Sequence, residues 1–69
     1  KIFQGTETET KTNVEQFLKS RHNDIAPQVH LLTDLKLIDY SSLTSNSSIV
    51  DAIGQEFKES KKVIAIIEL

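Results

Sequence analysis

The sequence has no cysteine, methionine or tryptophan among its 69 residues, and only two glycines and one proline. Without cysteine there can be no disulfide, thiolate metal site, thiol nucleophile or redox motif. His22 and His30 lie in different predicted segments, which argues against a histidine-based zinc site. We therefore expect no metal and no cofactor. Of the supports that small domains commonly use, oligomerisation is the one that remains.

Neither sign of charge dominates, and no long apolar run is present. Eight Lys and Arg against ten Asp and Glu give a net charge of −2, without the basic excess of a nucleic-acid binder. No apolar run is long enough for a membrane span, and no signal-peptide pattern is present. We expect a cytoplasmic protein that binds neither nucleic acid nor membrane. Because methionine is absent, either the initiator was removed or Lys1 is not the true start.

The length predicts one domain over residues 1–69. A chain of this size buries only about 60% of its unfolded surface, so its stability margin is small.

The most apolar stretch is the last one, residues 62–69, and its side chains alternate between two faces. One face carries Val63, Ala65, Ile67 and Leu69, and the other carries Ile64 and Ile66. Apolar residues on both faces are typical of a strand buried on both sides. We predict that this is the central strand, with Ile2–Phe3 and Leu35–Tyr40 as its neighbours.

Two helices are predicted from start signals followed by apolar periodicity. Thr12 and Glu15 form a T-x-x-E capping box, which predicts a helix over residues 13–22. Ser48 begins a similar S-x-x-D signal, and apolar residues then recur at helical spacing as far as Phe57. Gly54 weakens this second helix, so a short strand over residues 49–53 is the alternative.

The middle of the chain alternates with a period of two from residue 28 to residue 40, which predicts a strand. Its first half also fits helical spacing, so the strand is firmest over residues 35–41. The order strand-helix-strand-helix-strand predicts an α+β fold, with a small three-stranded sheet packed by two helices. Adjacent strands joined by a helix are expected to run parallel with right-handed crossovers.

Four short motifs follow one another along the chain: K-I-F-Q, N-V-E-Q-F-L, L-I-D-Y-S and a closing V-I-A-I-I. In this order they resemble the small sporulation proteins of the Cse type. The resemblance implies a small non-enzymatic protein of spore-forming bacteria or their phages. The segment 29–36 and the serine-rich insert depart from that pattern, and no functional residue is carried over.

A serine-rich loop follows the middle strand and precedes the second helix, whose first amides are free to bind an anion. We predict a site for a nucleotide or other anionic ligand there, formed by Tyr40, Ser41, Ser42, Ser45, Asn46, Ser47 and Ser48. The alternative is a polar linker followed by an ordinary helix cap. The sequence shows no glycine-rich phosphate loop.

No arrangement of residues predicts catalysis, because a triad is defined by geometry and spacing does not reveal one. The favoured hypothesis is a non-enzymatic protein-interaction module that forms a homo-oligomer or binds another protein. Two amphipathic helices cover one face of a sheet well or two faces thinly, so apolar surface is left over. The predicted interface residues all lie in the last strand: Val63, Ile64, Ile66, Ile67 and Leu69.

Overall fold

The computed structural model describes residues 1–20, 27–40 and 45–68 of the chain. Its elements in chain order are β1 (Ile2–Phe3), α1 (Glu7–Lys19), β2 (Gln28–Thr33), β3 (Leu37–Tyr40), α2 (Asn46–Glu59) and β4 (Val63–Glu68). Within these ranges the strands form one four-stranded sheet in the order β1-β4-β2-β3. The predicted α+β class is confirmed, but the sheet has four strands and not three.

Every pair of neighbouring strands is antiparallel, so the predicted parallel pairing is wrong. Each helix does connect two strands that run in the same direction. A third strand lies between them, however: β4 separates β1 from β2, and β2 separates β3 from β4. This is the split β-α-β arrangement. The strands joined by a helix are therefore never hydrogen-bonded to each other.

A tight turn at Thr33 divides the predicted middle strand into β2 and β3. The Thr33 amide donates to the Lys36 carbonyl at 2.8 Å. The Thr33 hydroxyl accepts from the amides of Leu35 and Lys36 at 3.0 and 2.9 Å. A threonine side chain can in this way replace the glycine or proline that usually marks a turn. The single strand predicted over residues 28–40 is therefore two strands, and this division accounts for the fourth strand of the sheet.

Helix α1 begins at Glu7, six residues before the predicted start, because its N-cap is Thr6 and not Thr12. The Thr6 hydroxyl oxygen accepts from the Glu9 amide at 3.2 Å and donates to the Glu9 carboxylate at 3.0 Å. Gly5 makes the bend before this cap with a φ of 133°, which favours glycine. The first turns carry no apolar residue. Their inward position is filled by Thr10, which is fully buried.

The position of this cap can be tested by a matched pair of threonine substitutions. Thr6→Ala is expected to lower the free energy of unfolding by about 1 kcal/mol, because it removes the cap. Thr12→Ala should change it by less than about 0.5 kcal/mol, since Thr12 is exposed inside the helix and alanine is the better helix former. Urea denaturation of both variants measures the difference. The reverse ranking would restore Thr12 as the cap.

Helix α2 spans Asn46–Glu59 and is a helix throughout, so the alternative strand over residues 49–53 is wrong. Its N-cap is Ser45, three residues before the predicted start signal. The Ser45 hydroxyl oxygen accepts from the Ser48 amide at 3.2 Å. The apolar side of the helix carries Ile49 and Ile53, which are both fully buried.

Both helices pack on one side of the sheet, where a single hydrophobic core forms. Its buried members are Phe3, Val14, Leu18, Val29, Leu31, Ile49, Ile53, Val63, Ala65 and Ile67. Burial of each large side chain contributes about 1.5–3 kcal/mol. As predicted, β4 is central and β1 is one neighbour. Its other neighbour is β2, and the predicted neighbour Leu35–Tyr40 lies one strand further out.

Candidate functional site

Among residues 1–20, 27–40 and 45–68, no helix or strand covers the side of the sheet away from the helices, and the centre of this side is apolar. Alternation along β4 turns Val63, Ala65 and Ile67 into the core and leaves Ile64 and Ile66 on the other side. The strand partners of these two residues extend the same surface. We call this surface the open face, and its apolar members are Ile2, Leu32, Leu37, Ile64 and Ile66.

The strand register arranges these residues in two adjacent rows across the sheet. One row runs from Ile2 through Ile66 to His30. The other runs from Ile64 through Leu32 to Leu37. Neighbouring strands lie about 4.8 Å apart, so the side chains within a row touch or nearly touch. The apolar residues therefore form one continuous patch.

The members of this patch on β1, β2 and β3 are all classed as exposed. Ile2 is 63% exposed, Leu37 is 61% exposed and Leu32 is 41% exposed. Leu35, at the tip of the β2–β3 turn, adds a further exposed side chain at 68%. A scattered exposed leucine is ordinary, whereas a continuous apolar patch marks an interaction surface.

A histidine between two carboxylates borders the patch at one end. His30 Nδ1 lies 2.6 Å from Asp39 Oδ1, and His30 Nε2 lies 3.8 Å from Glu68 Oε2. Asp39 and Glu68 are mostly exposed, so the group remains in contact with water. Within the described ranges, no group of three or more such side chains is arranged to hold a metal ion. We interpret the group as a polar border to the open face.

Of the predicted interface residues, Ile64 and Ile66 lie on the open face. Val63 and Ile67 are each 1% exposed and belong to the core, so they cannot contact a partner while the domain is folded. Leu69 lies outside the described residues. Three further apolar residues of the face were missed: Ile2, Leu32 and Leu37. The alternation within each strand indicates which of its residues share a face. It does not show how neighbouring strands align, so the sequence could not place these three residues beside Ile64 and Ile66.

The predicted anion site is divided by the structure. Ser45 and Ser48 form the cap of α2, and their hydroxyl groups lie 2.6 Å apart. Asn46 and Ser47 are in the first helical turn, whereas Ser41 and Ser42 lie outside the described residues. Tyr40 points instead to the side covered by the helices. There the charge of Glu56, ten residues into α2, helps to raise the pKa of its hydroxyl group. Its ring therefore faces a later part of the helix than the cap.

A second polar group, which the sequence analysis missed, surrounds Tyr40. Burial, and after it the carboxylate of Glu56, raises the pKa of Tyr40 above its usual value of 10.0. Lys36 Nζ lies 3.9 Å from the Glu56 carboxylate and 3.6 Å from that of Glu59. Glu56 follows Ile49 and Ile53 at helical spacing on the buried side of α2. A glutamate at that spacing was the sequence signal for a buried carboxylate.

No family model, curated protein or solved structure matches the chain. The resemblance to sporulation proteins of the Cse type therefore stays a prediction. In the described ranges, neither helix combines the length and the apolar character that crossing a bilayer requires.

Proposed function

We propose that this protein is a non-enzymatic interaction module that binds another protein chain through its open face. The observation that carries the proposal is the continuous patch formed by Ile2, Ile66, Ile64, Leu32 and Leu37. Association that covers this patch removes apolar area from water at about 25 cal/mol per Å². We place the protein in the cytoplasm. The sequence resemblance alone suggests an accessory role in spore-forming bacteria or their phages.

The shape of the face favours a protein over a small molecule. Small-molecule sites are concave and bury most of their ligand. The open face is the surface of a sheet, whereas two depressions among the described residues lie on the helical side, one between Lys1 and Gln16 and one between Lys11 and Lys58. A flat apolar surface is matched by another flat apolar surface.

The alternative, an anionic ligand at the serine-rich segment, is supported only by the free amides at the start of α2. The Ser45 hydroxyl already satisfies the Ser48 amide there. That alternative stays a prediction.

Site-specific photo-crosslinking tests the proposal without knowledge of the partner. A photoreactive phenylalanine analogue is placed at position 32 on the open face, and in a control protein at position 12, an exposed position of α1. We expect a discrete crosslinked species at position 32 that is absent at position 12. The species is identified by mass spectrometry and reconstituted from purified components.

A substitution in the same face provides the second control. Leu37→Asp should abolish the crosslink at position 32 and leave the circular dichroism spectrum unchanged, because Leu37 lies outside the core. Equal crosslinking at positions 32 and 12, or a crosslink that persists in the Leu37→Asp variant, would rule out the open face as the binding surface.

A further inference from the structure

We propose that the outer edge of β3 binds an extended segment of a partner chain as a fifth strand, and that this segment carries a basic residue followed by two apolar ones. The edge is a second surface, which meets the open face at Leu37, and the inference does not depend on the proposed function. Strand β3 is last in the order β1-β4-β2-β3, and within the described ranges no strand lies beyond it. Main-chain hydrogen bonds give such an added strand its affinity, and alternate side chains give it specificity.

The hydrogen-bond pattern shows which backbone groups of β3 point away from the sheet. The Thr33 amide donates to the Lys36 carbonyl, so these two residues form a hydrogen-bonded pair across the ladder. Because such pairs alternate in an antiparallel ladder, Ile38 also turns its amide and carbonyl towards β2. Leu37 and Asp39 therefore turn theirs outward, and together they offer two donors and two acceptors.

The opposite edge of the sheet gives the same alternation independently. Lys1 and Ile67 exchange both backbone hydrogen bonds, at 2.8 and 2.9 Å. The backbone groups of Ile67 thus point to β1, so those of Ile66 point to β2 and pair with His30. The backbone of His30 then turns away from β3, which leaves the groups of its other partner, Asp39, on the outer side.

This edge lacks two common obstacles to strand addition. Edge strands are often blocked by a proline or a bulge. Strand β3 contains no proline, and its register with β2 runs from residue 37 to residue 40 without a bulge. The side chain of Leu37 is 61% exposed beside the edge. An added strand would cover this leucine and bond to both outward residues.

The side chains of β3 define the segment that fits. Antiparallel addition is the commoner pairing, and it places successive partner residues opposite Asp39, Ile38 and Leu37 in that order. The Asp39 side chain is 68% exposed, and two carboxylates, those of Asp39 and Glu68, flank the single imidazole of His30. A basic residue therefore fits opposite Asp39. Apolar residues fit opposite the other two positions.

The same chemistry disfavours a second copy of β3 as the added strand. Two copies related by a two-fold axis form both pairs of outward hydrogen bonds only when Leu37 of each copy lies opposite Asp39 of the other. Each exposed leucine would then lie beside a carboxylate. A different chain with a basic residue opposite Asp39 forms the same hydrogen bonds without this mismatch.

Nuclear magnetic resonance of the isotope-labelled full chain tests the added strand with a synthetic peptide. The probe is a blocked heptapeptide with Lys, Val and Ile at its centre and threonines on both sides. The amide proton signals of Leu37 and Asp39 are expected to move downfield as they acquire acceptors, and that of Ile38 should move less because it is already bonded. A peptide that moves neither signal at about 5 mM would overturn the inference.

Two N-methylated versions of the peptide form a matched control. In the added strand the peptide Ile turns its amide towards β3, and the peptide Val turns its amide away. Methylation of the Ile amide is expected to weaken binding at least tenfold, and methylation of the Val amide less than threefold, because only the first removes a hydrogen bond at the edge. Equal losses from the two methylations would exclude strand addition.

An exchange of charge tests the basic position of the segment. Replacing the peptide Lys by Glu should weaken binding about threefold, and in the Asp39→Lys variant the order of the two peptides should reverse. An unchanged order would overturn the assignment of a basic residue opposite Asp39. If any of these tests fails while position 32 still gives its crosslink, the added strand is excluded and the proposed function stands.

Discussion

Replacing Leu31 by alanine is expected to lower the free energy of unfolding by about 2–5 kcal/mol, whereas the same change at Leu32 should cost less than about 1 kcal/mol. The two leucines are consecutive residues of β2 and face opposite sides of the sheet. Leu31 is fully buried in the core beneath the helices, and Leu32 is 41% exposed on the open face. Removal of the Leu31 side chain leaves a cavity, while the space vacated at Leu32 is filled by water.

The difference is large compared with the stability of the whole domain. At about 0.05–0.15 kcal/mol per residue, a chain of this length is stabilised by roughly 3–10 kcal/mol, so Leu31→Ala removes a large share. Urea denaturation of both variants, at a concentration where the chain is monomeric, gives the comparison. Equal losses at the two positions would show that both faces of β2 are buried, which would contradict the open face.

Replacing Glu56 by leucine is expected to raise the free energy of unfolding by about 1–3 kcal/mol. The Glu56 side chain is 7% exposed, and its Oε1 has no hydrogen-bond partner among the described residues. Lys36 lies 3.9 Å away, but its side chain is half exposed, so water screens its attraction. Leucine fits the buried side of α2 beside Ile53 and forms helix well.

The matched control is Glu59→Leu, one turn further along the same helix. Glu59 is 53% exposed and also lies near Lys36, so its replacement should change stability by less than about 0.5 kcal/mol. The tyrosinate absorbance gives a second readout, because Tyr40 is the only tyrosine in the chain. Glu56→Leu should lower the pKa of Tyr40 but leave it above 10.0, since burial is the larger cause of the shift. A destabilised Glu56→Leu variant would mean that the carboxylate is well satisfied.

The α+β class, the central place of β4 and the presence of both helices could be predicted from apolar periodicity together with helix start signals. The boundaries could not, because polar side chains set them. Thr6 starts α1 and Thr33 turns the chain between β2 and β3, each through a hydroxyl that bonds to nearby amides. Thr6 and Glu9 show the same T-x-x-E spacing as Thr12 and Glu15, but no apolar residue follows until Val14, so apolar periodicity favoured the later start. Thr33 has no such pattern. The antiparallel pairing could not be predicted either. It arises because a third strand lies between the two strands that each helix connects, and the sequence does not show this insertion.

The sequence predicted that some apolar surface would be left uncovered, but it did not show where that surface lies. Both sides of β4 are apolar, so the sequence does not indicate which side the helices cover. Val63 and Ile67 were therefore grouped with Ile64 and Ile66, although the first two belong to the core. The contributions of Ile2 and Leu37 depend on strand register, which brings residues 2 and 66 side by side. Register is fixed by tertiary structure and not by local spacing.

The central position of β4 has a consequence for how the protein folds. Among the described residues, β1 pairs only with β4, and Ile2 and Ile66 are partners although they lie 64 positions apart in the sequence. The ribosome must therefore add residues 63–68 before the sheet can close, and until then β1 has no partner. We expect folding to follow synthesis of this segment and to be slower than that of a helical bundle of equal length, because long loops must close first. Until that moment, the apolar strands of the nascent chain are exposed to association with other chains.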